Sequence, residues 1–193
     1  MKKLTLSLLM SLGMVGSTFA GQEMSSGKEY KQDKNPIEPT CFKDQELQLD
    51  IYGAYADGNH PHAGVIGEHG YGGGIGINYF FHRNIGVGVD GTWLYGSERN
   101  SGGDTTYHNL TSSLIFRFPI DSICLAPYVF VGGGAHFDGD QWASAHAGVG
   151  LEYRIVPERI GIFTDARFTY FGDRFGDGDQ NNIMARAGVR FVF

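Results

Sequence analysis

The sequence predicts an all-β fold: an eight-stranded antiparallel up-and-down β-barrel that is transmembrane through its strands. Three observations predict it. From Glu46 onward, stretches of about ten alternating residues, each followed by a turn, recur along the chain. One face of every alternation is free of charge, and aromatic residues collect at the ends of the stretches.

The chain opens as an export signal. Lys2 and Lys3 precede a short apolar run from Leu4 to Val15, and Thr18-Phe19-Ala20 offers small residues where a signal peptidase reads. The run is shorter than the roughly 20 residues that a membrane-crossing helix needs, so cleavage after Ala20 is expected rather than a retained N-terminal helix. Residues 1–20 are therefore taken as signal peptide, 21–45 as a flexible periplasmic N-terminal segment with Pro36 and Pro39, and 46–193 as the barrel.

Cleavage removes two lysines and no acids, so Lys+Arg falls from 15 to 13 against 21 Asp+Glu, a net charge of −8. Such a chain does not suit nucleic acid as a partner, because phosphate binding needs clustered Lys and Arg. Thirty glycines and 13% aromatics fit a barrel, and the mildly negative mean hydropathy of −0.20 fits a wall that shows only alternate residues to lipid.

The eight segments are 46–56, 71–81, 85–96, 107–118, 126–137, 142–155, 160–170 and 182–193. Each reaches the about 9–11 residues that a tilted transmembrane strand requires. Their period is 2 rather than 3.6, and their internal glycines would weaken helices. The apolar face takes odd positions in 47–55, 73–81 and 85–95, even positions in 110–118, odd positions in 127–137 and 143–153, even positions in 160–170 and odd positions in 183–193. None of these positions is charged, although 19% of the chain is; the fifth segment alone reads on either face.

The opposite faces carry Asp50, Asp90, Arg117, Glu152, Arg154, Asp165, Arg167, Arg186 and Arg190. An Arg or Lys facing lipid near the midplane costs about 2–4 kcal/mol, so the charged side is expected to face the lumen. A soluble barrel would reverse this sidedness. Outward aromatics end the odd segments (Tyr55, Trp93, Tyr95, Phe137, Phe168, Tyr170) and the even ones (Tyr79, Phe81, Phe116, Phe118, Tyr153, Phe191, Phe193). In an up-and-down barrel the two sets become girdles at opposite rims, where aromatic rings favour the lipid interface.

Connections after even segments are short: 82–84, 120–125, and the turn with Pro157 and Glu158. Those after odd segments are longer at 57–70, 97–106 and 172–181, though 138–141 is short. Short turns face the periplasm in such barrels, which puts both ends of the barrel there.

From about Glu46 to the end, the chain resembles the OmpA/OmpX-type eight-stranded outer-membrane β-barrel superfamily. Val189-Arg190-Phe191-Val192-Phe193 resembles that family's C-terminal signal, alternate apolar residues ending on Phe, which the barrel assembly machinery recognises. The resemblance implies a bacterial outer-membrane location and an architecture rather than an activity. The peptidoglycan-binding domain that follows the barrel in OmpA has no counterpart here, so that activity is not expected.

Eight strands leave an interior just wide enough to be filled by side chains. Tyr52, Phe80, Tyr128, Phe130, Phe163 and the arginines supply the bulk, and inward glycines such as Gly74, Gly88 and Gly148 make room. The luminal charges are expected to pair, Glu152 with Arg117 or Arg190 among the choices. The only cysteines, Cys41 and Cys124, both map to the periplasmic end, and an exported pair is more often a disulfide than a metal site. A Cys41–Cys124 bond would draw the N-terminal segment across the lower mouth.

For function, the sequence favours a non-catalytic structural or surface-interaction role, as a monomer in outer-membrane lipid, with a surface ligand met through the long loops and no cofactor. A narrow small-solute or ion channel and a lipid A-modifying enzyme are the alternatives. Candidate chemistry is confined to Ser144 with His146 and His108 near Ser112. His60, His62 and His69 in the first long loop, and Asp177, Asp179 and Asn181 in the last, are read as solvated loop residues rather than metal ligands.

Overall fold

In the computed structural model, residues 40–58, 69–97, 104–138, 140–173 and 179–193 are described. The signal peptide, residues 21–39, and His60, His62 and Asp177 lie outside the described residues, as does the side chain of Asp179. The described chain forms strands β1 (Glu46–Gly58), β2 (His69–His82), β3 (Ile85–Ser97), β4 (Asp104–Arg117), β5 (Leu125–Asp138), β6 (Asp140–Val156), β7 (Ile160–Asp173) and β8 (Asp179–Val192). A single 3-10 turn, Asp121–Ile123, joins β4 to β5.

Every strand pairs antiparallel with its sequence neighbour, and β8 returns to β1, closing the barrel. The closing seam is a full ladder running from Gln48↔Val192 to Gly58↔Asn182, extended by Phe193 N–H donating to Leu47 O at 2.9 Å. Closure removes the unpaired edges that an open sheet would present. Short turns and both barrel ends share one rim; the longer connections share the other.

The pleat sends alternate side chains to opposite faces, and burial divides cleanly along that alternation. Outward Ile51, Ile77 and Val89 are 52%, 56% and 52% exposed, whereas inward Arg117 and Glu152 are 0% exposed. The apolar residues clothe the wall and the ions fill the centre, the inverse of a soluble core. From Leu47 to Tyr55, eight residue-to-residue steps at about 3.3 Å each and a tilt of about 40° rise roughly 20 Å, comparable with the apolar band of such barrels.

The fifth strand takes the phase with 127–137 outward: Val129, Val131 and Phe137 are exposed while Tyr128, Phe130 and His136 are buried. The strands outrun their sequence limits at the long-loop rim, with β4 starting at Asp104, β7 reaching Asp173 and β8 starting at Asp179. Apart from Phe171 those extensions are polar or glycine, and hairpin ladders hold them where no apolar alternation marks them. Of residues 40–45, Cys41 and Phe42 are buried at the short-turn mouth, each 1% exposed, and the other four are exposed.

Candidate functional site

The lumen holds the chemistry of this chain, and its contents follow from the register. Asp50 lies directly opposite Arg190 across the β1–β8 seam, and Asp165 directly opposite Arg186 across β7–β8. Large inward groups stand beside glycine: Tyr52 between Gly74 and Gly188, Tyr128 beside Gly150, Arg167 beside Gly148, and Arg154 beside Gly161. Glycine at these positions gives the larger inward groups of a narrow barrel room to lie across the neighbouring strand.

The ions form two tiers. Toward the short-turn rim, Arg190 makes a two-pronged bond to Asp50, Nε to Oδ1 and Nη2 to Oδ2, both 2.7 Å, and its Nη1 donates to Glu152 Oε2 at 2.6 Å. Asn78 Nδ2 donates to the same Asp50 at 2.8 Å. Glu152 also lies 2.7 Å from Arg154 and 3.7 Å from Arg117, and both of those guanidinium groups bond Glu46 Oε1. The expected pairing of Glu152 is therefore shared: Arg190 holds it most closely, and Arg117 stands farther off.

In the second tier, Asp90 accepts from Arg167 through both oxygens, at 3.1 and 2.8 Å, and from Arg186 Nη1 at 3.2 Å. Thr111 and Tyr52 hydroxyls add bonds to Asp90 of 2.7 and 3.1 Å. Arg186 also grips Asp165 through Nε and Nη2, at 2.7 and 2.8 Å, and Tyr128 Oη donates to Asp165 at 2.8 Å. Planar, two-pronged pairing of this kind is what guanidinium offers and ammonium does not; no lysine joins these bridges.

Each luminal arginine also lies against an aromatic ring. Arg117 is 3.9 Å from the Phe80 centroid, Arg186 is 4.9 Å from Tyr52, Arg190 is 4.7 Å from Phe163, and Arg167 is 5.4 Å from Phe130. Arg154 lies 5.0 Å from Phe42. The ring faces stabilise cations that have left water. Five guanidinium groups thus meet five carboxylates, those of Glu46, Asp50, Asp90, Glu152 and Asp165, and the formal charge of the network cancels.

Above the ions, toward the long-loop rim, the lumen holds uncharged groups, apolar ones mixed with buried Asn109, Thr169 and Asn182. Leu94 and Met184 are fully buried, and Tyr107 stacks on His136 at 4.1 Å with Phe171 edge-on at 6.4 Å. Between the tiers lies a cavity of about 20 Å³ bordered by Asp50, Asn78, Asp90, Ser113, Arg167 and Arg190, room for a single water.

The structure gives His146 a partner other than its sequence candidate. His146 bonds through Nε2 to Ser113 Oγ, 2.9 Å away, not to Ser144. The cause is Gly132, which stands opposite both Ser113 and His146; with no side chain there, the imidazole reaches across β5 to β4. Among the described residues His146 Nδ1, the atom that an orienting acid would meet in a triad, has no hydrogen-bond partner. His108 and Ser112 lie on the outer face of β4, where Ser112 Oγ donates to Gly133 O at 3.4 Å. His69 accepts a place on the outer rim, 2.8 Å from Tyr55 Oη and 3.8 Å from Asp57. No cluster of three or more metal-ligating residues occurs among the described residues.

The outward aromatics sort by rim. Tyr55, Trp93, Tyr95, Phe137, Phe168 and Tyr170 are exposed toward the long-loop rim, and Tyr79, Phe81, Phe118, Tyr153 and Phe193 toward the other. Phe116 and Phe191 are half-buried. Tyr71, 70% exposed and paired with both Tyr55 and Tyr95, joins the first set unanticipated, though it shares the phase of its strand.

No family model and no curated protein matches the chain. Solved structures do. The N-terminal β-barrel domain of OprF from Pseudomonas aeruginosa is 18% identical, covering 78% of this chain and 99% of its own, with a TM-score of 0.55. Neisserial surface protein A is 18% identical, covering 76% and 95%, with a TM-score of 0.55. The outer membrane protein OprG from Pseudomonas aeruginosa is 12% identical, covering 79% and 97%, with a TM-score of 0.51. At these identities the likeness establishes the fold: the eight-stranded up-and-down barrel of outer-membrane proteins.

Proposed function

We propose that the protein is an integral outer-membrane barrel with a sealed lumen, serving a structural or surface-interaction role without catalysis. The observation that carries this reading is the inverted wall: exposed Ile, Val and Leu between two aromatic rims, around ions that neutralise one another inside. In water that arrangement would strand a large apolar surface; in a bilayer it is the low-energy sidedness. The short-turn rim faces the periplasm, the signal peptide is removed after Ala20, and Val189, Phe191 and Phe193 present the C-terminal strand to the assembly machinery. The long loops are the surface offered to an external ligand, and the barrel acts as a monomer.

The full burial of Arg117, Arg154 and Arg167, at 0–1% exposure, and the single-water cavity support a plugged rather than conducting lumen. The test is cell fractionation with a gel-migration assay. The protein should co-sediment with outer membranes, require detergent, and migrate differently before and after boiling. A chain that stays dissolved without detergent overturns the reading, and stepwise conductance in planar bilayers would replace it with a channel.

A further inference from the structure

Residues 40–45 cross the short-turn mouth as a strap. Glu46, at its end, begins β1, while Cys41 is bonded to Cys124 in the β4–β5 turn, with Cα atoms 5.4 Å apart. In the closed order β1 to β8 that turn lies halfway around the barrel from β1, so the strap must span the opening. It touches all three short turns. Cys41 N–H donates to Asp121 Oδ1 at 3.2 Å, Arg83 N–H donates to Asp44 Oδ1 at 2.6 Å, and Lys43 pairs with Glu158.

The strap carries one aromatic residue, and it points inward. Phe42 is 1% exposed, its ring 4.8 Å from the Arg117 guanidinium and 5.0 Å from that of Arg154. It covers the outermost ions of the lower tier. The strap's ion pair adds little: Lys43 and Glu158 are 50% and 41% exposed, so the hold rests on the buried Phe42 and on the covalent bond beside it.

We propose that Phe42 is a stopper for the periplasmic mouth and that the Cys41–Cys124 bond is its redox latch. A dithiol reductant delivers two electrons and two protons to the Sγ–Sγ bond, leaving two protein thiols and the reductant as its own disulfide. The freed strap swings away, and the Glu46–Arg117–Arg154 cluster opens to water while the upper tier stays closed. The periplasmic orientation rests on the reading given under Proposed function; the latch itself does not.

The test is phenylglyoxal labelling of arginine in detergent-folded full chain, resolved by mass spectrometry, with and without dithiothreitol. In the oxidised protein all five luminal arginines should resist. Reduction, or the Cys41→Ser/Cys124→Ser pair, should raise labelling of Arg117 and Arg154 at least tenfold and leave Arg167 and Arg186 protected. Phe42→Ala with the disulfide intact should also expose Arg117 and Arg154. Equal protection in the reduced protein overturns the latch, and equal protection in Phe42→Ala overturns the stopper. Labelling of all five on reduction means global loosening and overturns both. Loss of the boiling-dependent gel shift in the oxidised wild type would instead count against the membrane-barrel reading.

Discussion

Arg190 holds Asp50 through two parallel bonds of 2.7 Å while its third nitrogen reaches Glu152 at 2.6 Å. One guanidinium on the last strand therefore ties the first strand to the sixth. The seam where the chain closes on itself is locked from inside by an ion as well as by its backbone ladder.

Removing that ion alone leaves two buried carboxylates without it. Arg190→Met should destabilise the barrel by about 3–5 kcal/mol, the usual cost of orphaning a buried charge. Adding Asp50→Leu, with Glu152 kept for Arg154 and Arg117, restores the balance of charge and should recover most of the loss. Urea titration in lipid vesicles measures both; equal stability of Arg190→Met and wild type would contradict the ionic lock.

Outward charge should be penalised by depth. Val89→Arg, at mid-wall, should cost about 2–4 kcal/mol of folding free energy in vesicles. The same change at Tyr95, near the rim, should cost about 1 kcal/mol or less. A barrel standing in water would show neither cost, and its solubility would rise.

Gly74 has Tyr52 packed against the place where a Cβ would project, whereas the nearest atom to a Cβ on outward Gly53 would be 3.8 Å away. Gly74→Ala should lose about 1–3 kcal/mol through overpacking, and Gly53→Ala should lie near wild type. Comparable effects at the two sites would mean the lumen is looser than its geometry.

Phe193 is 74% exposed, and its backbone rather than its ring closes the β1 ladder. Phe193→Ala should refold from urea in detergent as well as wild type, yet accumulate several-fold less in outer membranes of growing cells. A matched defect in both assays would assign Phe193 to stability rather than to assembly.

Strand number, phase and the inward set of charges were legible because lipid and lumen impose opposite chemistry on neighbouring residues. Where that contrast fades, the sequence is silent. Glu46 joined the lower tier unannounced, since a charge at the start of a strand reads as a rim residue until its partners Arg117 and Arg154 are in place. Phe42 sat in a polar stretch with no periodicity, and only the covalent bond beside it hinted that the stretch was pinned. The Ser113–His146 contact depends on a side chain that Gly132 lacks, which no spacing along β6 can reveal.

The internal balance of guanidinium against carboxylate has an outward consequence. Because the ten ions of the described lumen sum to zero, the net charge of −8 that remains after cleavage belongs to residues outside that network, in the strand ends, termini, turns and loops. How the molecule meets its surroundings, which ions condense on it and which polyanions it turns away, is then set by residues outside the luminal lock. Loop sequences are free to retune those encounters without disturbing the lock beneath them.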